Sequence, residues 1–192
     1  MSNFEQALRK VLRHEGVEFD TDGSPLVGRT GYVDHPADPG GETNYGITKN
    51  VALENGYLGD MIDIPFFIVK RIYRKRYWDL LSGDALPDQE IAEELFDTAA
   101  NMGVSVVVRF LQRTLNVLNV GGKKYADITV DGAMGPGTVT ALGAALSVAP
   151  WYRLAILRAL DSLQAVRYIE MAETKPRMEE FVPGWLRNRV GV

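Results

Sequence analysis

Apolar residues recur three and four positions apart along most of this 192-residue chain, and that spacing restricts it to a mainly α fold. Phe4, Leu8, Val11 and Leu12 form one face of a helix predicted over residues 3–14, which Ser2 or Asn3 can cap and Gly16 ends. Thr48 is placed to cap a short helix over 51–55, stopped by Gly56. Asp63 and Pro65 mark the start of a helix running to about residue 81. Pro87 and Asp88 begin another, with Ile91, Leu95, Ala99 and Met102 on its apolar positions. Ser105 opens a helix with Val108, Leu111, Leu115 and Leu118 on one side, broken at Gly121-Gly122. Thr138 is expected to cap a short Ala/Leu helix ending near Pro150, and a long helix is predicted over 151–173. Pro176 and Pro183 punctuate the tail. So many helices with so few strand signals imply a compact helical domain with a small β-hairpin or loop region. The expected organisation is a region 1–104 with a second helical region, 105–192, packed on it.

The helical pattern is lost between residues 17 and 48. Turn signals replace it at Asp22-Gly23, Pro39-Gly40 and Gly40-Gly41, with short strands expected around Leu26-Val27 and Tyr32-Val33. A long irregular segment inside a compact domain is often functional.

Composition removes several function classes. With 21 basic against 25 acidic side chains and a net charge of −4, the chain lacks the basic footprint of a nucleic-acid binder. No cysteine is present, which excludes disulfides, thiolate nucleophiles and cysteine-based zinc sites. His14 and His35 are the two histidines, too few for a His-rich metal site, so no metal or organic cofactor is expected. The opening MSNFEQALRKVLRHEG does not read as a signal peptide, and no stretch approaches the length of a membrane span. The expectation is a protein made in the cytoplasm without membrane insertion, needing help to reach anything beyond the membrane.

Glu15 is the sharpest single feature. It lies three residues after Leu12 and four after Val11, in phase with the apolar face. Burial there, and the negative end of its own helix, would both favour the protonated form that a general acid needs. Periodicity alone favours the plainer alternative, a surface glutamate just past a frayed helix end. The loop offers partners: Asp38, Thr43 and Asn44 sit among turn-formers that can present short polar side chains from a fixed backbone. Cleavage of a glycosidic bond commonly uses one protonated acid and one ionised carboxylate, and Glu15 with Asp38 is the natural pair. A turn in which Asp34 and Asp38 bond nearby amides explains the same residues about as well.

Glu15-Gly16, Gly31-Tyr32-Val33 and the run Asp38-Pro39-Gly40-Gly41-Glu42-Thr43-Asn44-Tyr45-Gly46-Ile47-Thr48 together resemble the signature of glycoside hydrolase family 108. Tyr73 to Asp79, Phe96-Asp97-Thr98-Ala99-Ala100-Asn101-Met102-Gly103 and the closing Phe181 to Arg189 resemble it too, so the similarity covers nearly the whole chain. The family comprises phage and prophage N-acetylmuramidases with a lysozyme-like helical fold. The resemblance implies that Glu15 is the catalytic glutamate of the Glu-Gly-Gly-Tyr motif, with Asp38 as base or electrostatic stabiliser and Thr43 holding the attacking water. In one place this chain departs from the pattern: residues 17–30, VEFDTDGSPLVGRT, separate Gly16 from Gly31. Such an insertion costs little if it leaves and returns as a hairpin. It leaves the placement of Asp38 against Glu15 open, and brings in Glu18 and Asp20 as rivals that lie out of phase with the helix face.

A second motif, Val130-Asp131-Gly132-Ala133-Met134-Gly135-Pro136-Gly137-Thr138, resembles the Asp-Gly-x-x-Gly-Pro-x-Thr signature of small helical peptidoglycan-binding modules. A tight turn delivering Thr138 as a helix cap accounts for it without any ligand. Asn44, Tyr45, Asn101 and Trp78 are candidate sugar contacts, with Tyr77 and Trp185 as further aromatics, although large aromatics are more often core. Lys70, Arg71, Arg74, Lys75 and Arg76 are spread round their helix and read as a solvated face rather than a patch for anionic wall polymers.

Together these imply a hydrolase of the β-1,4 bond between N-acetylmuramic acid and N-acetylglucosamine in bacterial peptidoglycan. It would be a monomer of the endolysin kind, acting on the wall in the periplasm after holin-dependent export. Two rivals remain at this point: a lytic transglycosylase on the same bond, and a non-catalytic wall-binding or virion structural protein.

Overall fold

The Asn3 side chain accepts a hydrogen bond from the Gln6 main chain at 3.1 Å and starts helix α1 (Phe4–His14), whose Phe4, Ala7, Leu8, Val11 and Leu12 are buried. The computed structural model describes residues 2–34 and 41–191. Gly16, with φ +81, turns the chain out of α1 in the left-handed conformation that glycine tolerates best. The insertion then leaves as an antiparallel hairpin, β1 (Val17–Phe19) with β2 (Pro25–Thr30), and returns to its starting point at Gly31. A second hairpin, β3 (Thr43–Asn44) with β4 (Ile47–Thr48), follows. Tyr32-Val33, predicted as a strand, contributes only a single bridge from Val33 to Thr43.

Thr48 caps α2 (Lys49–Glu54) as predicted, accepting from the Val51 N–H. The helix predicted from Asp63 or Pro65 to residue 81 is interrupted. After α3 (Phe66–Tyr73) the backbone widens to a π turn over Arg74–Trp78, closed by Asp79 N–H donating to the Arg74 carbonyl at 2.9 Å. Across this turn Tyr73, Tyr77 and Trp78 all meet Phe96, at ring separations of 6.2, 6.4 and 5.4 Å.

Helix α4 (Gln89–Met102) runs through the centre. Asp88 caps it by accepting from the Ile91 N–H at 3.0 Å, and α1, α5 (Val104–Leu118) and α7 (Trp151–Thr174) pack round it. Phe4, Trp78 and Phe96 meet edge-on or tilted in the middle of this core. At α6 (Pro136–Leu146) the predicted cap is corrected: Gly135 is the cap position, Pro136 and Gly137 come first in the helix, and Thr138 lies inside it. Pro136 explains the shift, since its fixed φ and missing N–H suit the first helical position. The tail adds a short helix, α8 (Val182–Asn188), that periodicity did not signal; it packs on α7, Trp185 stacking on Tyr168 at 4.8 Å.

Eight α-helices and two small sheets among the described residues make the protein mainly α. No described helix is long and apolar enough to cross a membrane.

Candidate active site

The Thr43-Asn44-Tyr45-Gly46-Ile47-Thr48 run owes its form to the turn it makes. Two residues, Tyr45 (φ +54) and Gly46 (φ +69), join β3 to β4, both in the left-handed region that the tightest hairpin connection demands. Glycine meets this demand freely, whereas tyrosine needs anchoring. Three contacts anchor it: Tyr45 N–H donates to the Thr30 carbonyl at 3.0 Å, the Tyr45 carbonyl accepts from the Tyr73 hydroxyl at 2.9 Å, and its ring packs on Phe66. Burial, and after it the nearby Glu15 carboxylate, push the Tyr73 phenol well above its ordinary value, so it stays a donor.

This turn seats Glu15. A methyl group on Gly46 would come within 2.8 Å of Glu15 Cγ and 2.9 Å of Oε2, so the carboxylate lies flat on the bare glycine backbone. Gly31 is pressed as closely on the other side; a Cβ there would stand 2.3 Å from the Glu15 carbonyl oxygen. Both glycines have positive φ. The Glu-Gly…Gly-Tyr and Tyr-Gly motifs are thus steric necessities of one arrangement, in which three backbones close round one acid.

The carboxylate is also held from the far end of the chain. Arg189, just past α8, donates through one guanidinium nitrogen to Glu15 Oε1 at 2.7 Å and through the other to Asp97 Oδ1 at 2.9 Å. His14 Nδ1 lies 2.8 Å from that same Asp97 oxygen. The Arg189 and Asp97 side chains are 8% and 4% exposed, against 30% for Glu15, so the pair forms a sealed base while Glu15 reaches the surface. Burial acts to lower the Arg189 pKa, but Asp97 and Glu15 outweigh it and hold the guanidinium above its ordinary value. The Tyr168 hydroxyl, buried nearby, has no hydrogen-bond partner among the described residues, and burial raises its pKa. An open cleft of about 790 Å³ passes over this assembly, walled by His14, Glu15, Phe181, Trp185 and Arg189.

The other predicted residues separate. Asp38, with His35, lies outside the described residues. Thr43 stands in β3, its hydroxyl only loosely bonded to the Gly41 carbonyl at 3.5 Å. Asn44 is buried and donates to the Met61 carbonyl at 2.8 Å, tying the hairpin to the 3-10 turn Met61–Asp63. Tyr45 is nearly buried as the turn residue. Asn101 is partly exposed, one helical turn beyond Asp97 on α4. Trp78 is fully buried and donates its indole N–H to Asp84 at 2.8 Å, and Gly83 lies against its ring, so no face is open to a sugar. Glu18 pairs with Arg29 on the insertion hairpin, away from the Arg189 assembly. Of the basic face, Lys70, Arg74 and Arg76 pair with Glu5, Asp79 and Glu54.

The 130–138 motif organises its own loop. The buried Gln112 amide accepts from Gly132 N–H at 2.9 Å and donates to Asp131 at 2.8 Å, the Ala133 carbonyl at 3.1 Å and Thr138 at 3.2 Å.

Periodicity did not single out Arg189, Asp97, His14 or Gly46. Gly46, Asp97 and Arg189 did fall within the family-like runs, and Asp97 also stood out as an acidic residue inside the apolar run of α4.

Residues 8–103 match the family described as Glycosyl hydrolase 108, and residues 106–190 match one described as Predicted Peptidoglycan domain. Among solved structures the chain is similar to SagA of Brucella abortus, with 23% identity and a TM-score of 0.59, covering 98% of this chain and 96% of that one. At that identity the likeness shows the shared fold alone. No curated protein matches the chain.

Proposed function

The chain belongs to the glycosyl hydrolase 108 family, and from that premise we propose that it is an N-acetylmuramidase in which Glu15 protonates the glycosidic oxygen. The two matched families make it a peptidoglycan hydrolase. The bond and the acid are our reading. One observation carries it: the only glutamate in phase with the α1 face emerges at the helix end, packed on Gly46, held by Arg189 and facing an open cleft.

Arg189 engages Oε1, and Oε2 lies over the Gly46 backbone beside the cleft. The carboxyl group is therefore fixed in orientation before substrate arrives, the condition under which a proton donor is effective. On binding, a sugar that covers the cleft removes the water that reaches Glu15. Glu15 takes up a proton from solvent as the sugar enters, and as the bond to the leaving oxygen breaks it passes that proton to the oxygen. Positive charge then develops on the ring carbon and calls for a second anion. Asp38 is our candidate for that role, and a water held by Thr43 completes the hydrolysis, its oxygen bonding to the ring carbon and its proton passing to a carboxylate of the site. Action on the wall as a lysin released from the cytoplasm through a holin pore belongs to the same proposal.

The test is Glu15→Gln, which keeps an acceptor for Arg189 and removes the acid. Lysis of outer-membrane-stripped cells, followed by turbidity, should fall at least 100-fold with folding intact, the scale of a lost general acid. Mass spectrometry of the fragments reads the bond: reducing N-acetylmuramic acid ends support the proposal, and 1,6-anhydro ends indicate the transglycosylase instead. Undiminished lysis by the variant would remove Glu15 from the role.

A further inference from the structure

The insertion at 17–30 builds a second concavity. It is a groove of about 750 Å³ walled on one side by β2 and on the other by Ile62, Asp63 and Ile64, with Tyr32 and Tyr45 between them. Every residue from 25 to 31 borders it. Gly28 and Gly31 line it without side chains, so the groove meets the main chain there.

That main chain is largely unpaired. The hairpin register passes from Val17 opposite Thr30 to Phe19 opposite Pro25, leaving Leu26, Val27, Gly28 and Arg29 opposite Glu18 alone. Four residues carry four N–H and four C=O groups, and Glu18 can answer one of each. No main-chain bond from a turn or loop among the described residues reaches these four. Gly28 adopts φ +73 in open space, which bends the strand outward as bulges do, and Val27 is fully exposed. An unpaired, bulged edge of this kind is a template for an extended chain.

The lining favours a peptide over a sugar. Sugar platforms need an open aromatic face, whereas the Tyr45 ring is buried and Tyr32 is half-buried, with its hydroxyl engaged by Glu42 at 3.1 Å. The rim carries both signs of charge, the Glu18–Arg29 pair on the hairpin and Asp63 on the opposite wall, suited to a short segment that itself carries carboxylates and an amine. The groove starts at Gly16 and Gly31, the residues that touch the Glu15 backbone, so it opens beside the residue that carries the candidate acid.

We propose that the β2 edge and this groove bind the stem peptide of the peptidoglycan strand being cut, pairing main chain to main chain. This rests on the reading of Glu15 as the site of cleavage for its direction, because the peptide hangs from a muramic acid placed beside that residue. The proposal makes the insertion a reader of peptide-substituted muramic acid and leaves the bare glycan to the cleft.

A soluble disaccharide carrying its stem peptide is titrated into the full chain, followed by backbone amide resonances, alongside the same disaccharide without the peptide. The peptide-bearing ligand should shift the amides of 26–31 and 62–64; the bare sugar should leave them in place. Shifts there from both ligands alike, or from neither, would overturn the proposal. Kinetics supply a second arm. Val27→Pro removes one edge donor at an exposed position and should raise KM on intact sacculi about 5-fold with kcat unchanged, a loss of about 1 kcal/mol as for one hydrogen bond. On glycan stripped of peptides the variant should match the parent chain. Equal losses on both substrates would refute the groove as a peptide site. Absence of any cleavage by the parent chain would refute the muramidase reading, while the resonance shifts would still decide the groove.

Discussion

Replacing Arg189 with methionine tests whether one cation ties the two ends of the chain together. The substitution keeps an apolar stem and removes both charge-assisted bonds, 2.7 Å to Glu15 and 2.9 Å to Asp97. The two losses are unequal. Glu15 is 30% exposed, so water takes over much of that bond. Asp97 is 4% exposed and keeps only the His14 ring at 2.8 Å. Removing one partner of a buried ion pair costs roughly 3–5 kcal/mol, and the retained contact to His14 places this case near 3 kcal/mol. For a chain of this size that corresponds to a fall in Tm of about 6–12 °C. The assay is denaturant unfolding of a double-mutant cycle with Asp97→Asn, since a neutral amide no longer needs the cation. Arg189→Met in the Asp97→Asn background should then cost about 1 kcal/mol or less, a coupling of about 2 kcal/mol. Additive effects, or a single variant within about 0.5 kcal/mol of the parent chain, the range of an ordinary surface change, would show that Arg189 is a surface residue and that the tail does not hold the site.

Three further predictions can be checked independently. Gly46→Ala should cost about 1–2 kcal/mol for the left-handed backbone and cut lysis more than about 10-fold by displacing Glu15; Gly56→Ala, with φ +82 and open space around it, should show the stability loss alone. Glu94 has its pKa raised from 4.5 to about 7, first by burial and then by Asp161 and Asp97. The folded chain therefore holds this proton more tightly than the unfolded one, so stability from this group is complete below pH 4.5 and declines as pH rises through about 7. The decline is worth roughly 3 kcal/mol, and Glu94→Gln should flatten the Tm against pH profile over that window. Gln112→Leu leaves Gly132 N–H, Asp131 and Thr138 without their amide partner and should cost about 2–4 kcal/mol, with early loss of hydrogen-exchange protection at Gly132. Retained protection there would show that the loop is held by something else.

What was legible in the sequence follows the range of the forces involved. The caps at Asn3, Thr48 and Asp88 bond amides three residues on, and the apolar face of α1 repeats within a few turns, so spacing alone located these helices. The hairpin form of the insertion was equally local, set by Gly31 closing back on the helix end. Thr138 shows where local reasoning failed: a threonine before an apolar run reads as a cap, yet Pro136 two residues earlier takes the first helical position and Gln112 takes the hydroxyl.

By itself the sequence determined the helical class, the position of Glu15 in phase with α1 and the family motifs around the tight turn. Only the tertiary structure decided what surrounds that acid. Arg189 lies 174 residues from Glu15 along the chain, Asp97 lies 83 from His14, and Trp78, an aromatic in a promising run, is in the core. Contacts of that separation leave no periodicity to read, because they form only after helices α1, α4 and α8 have packed and desolvation has given each buried charge a single place to go.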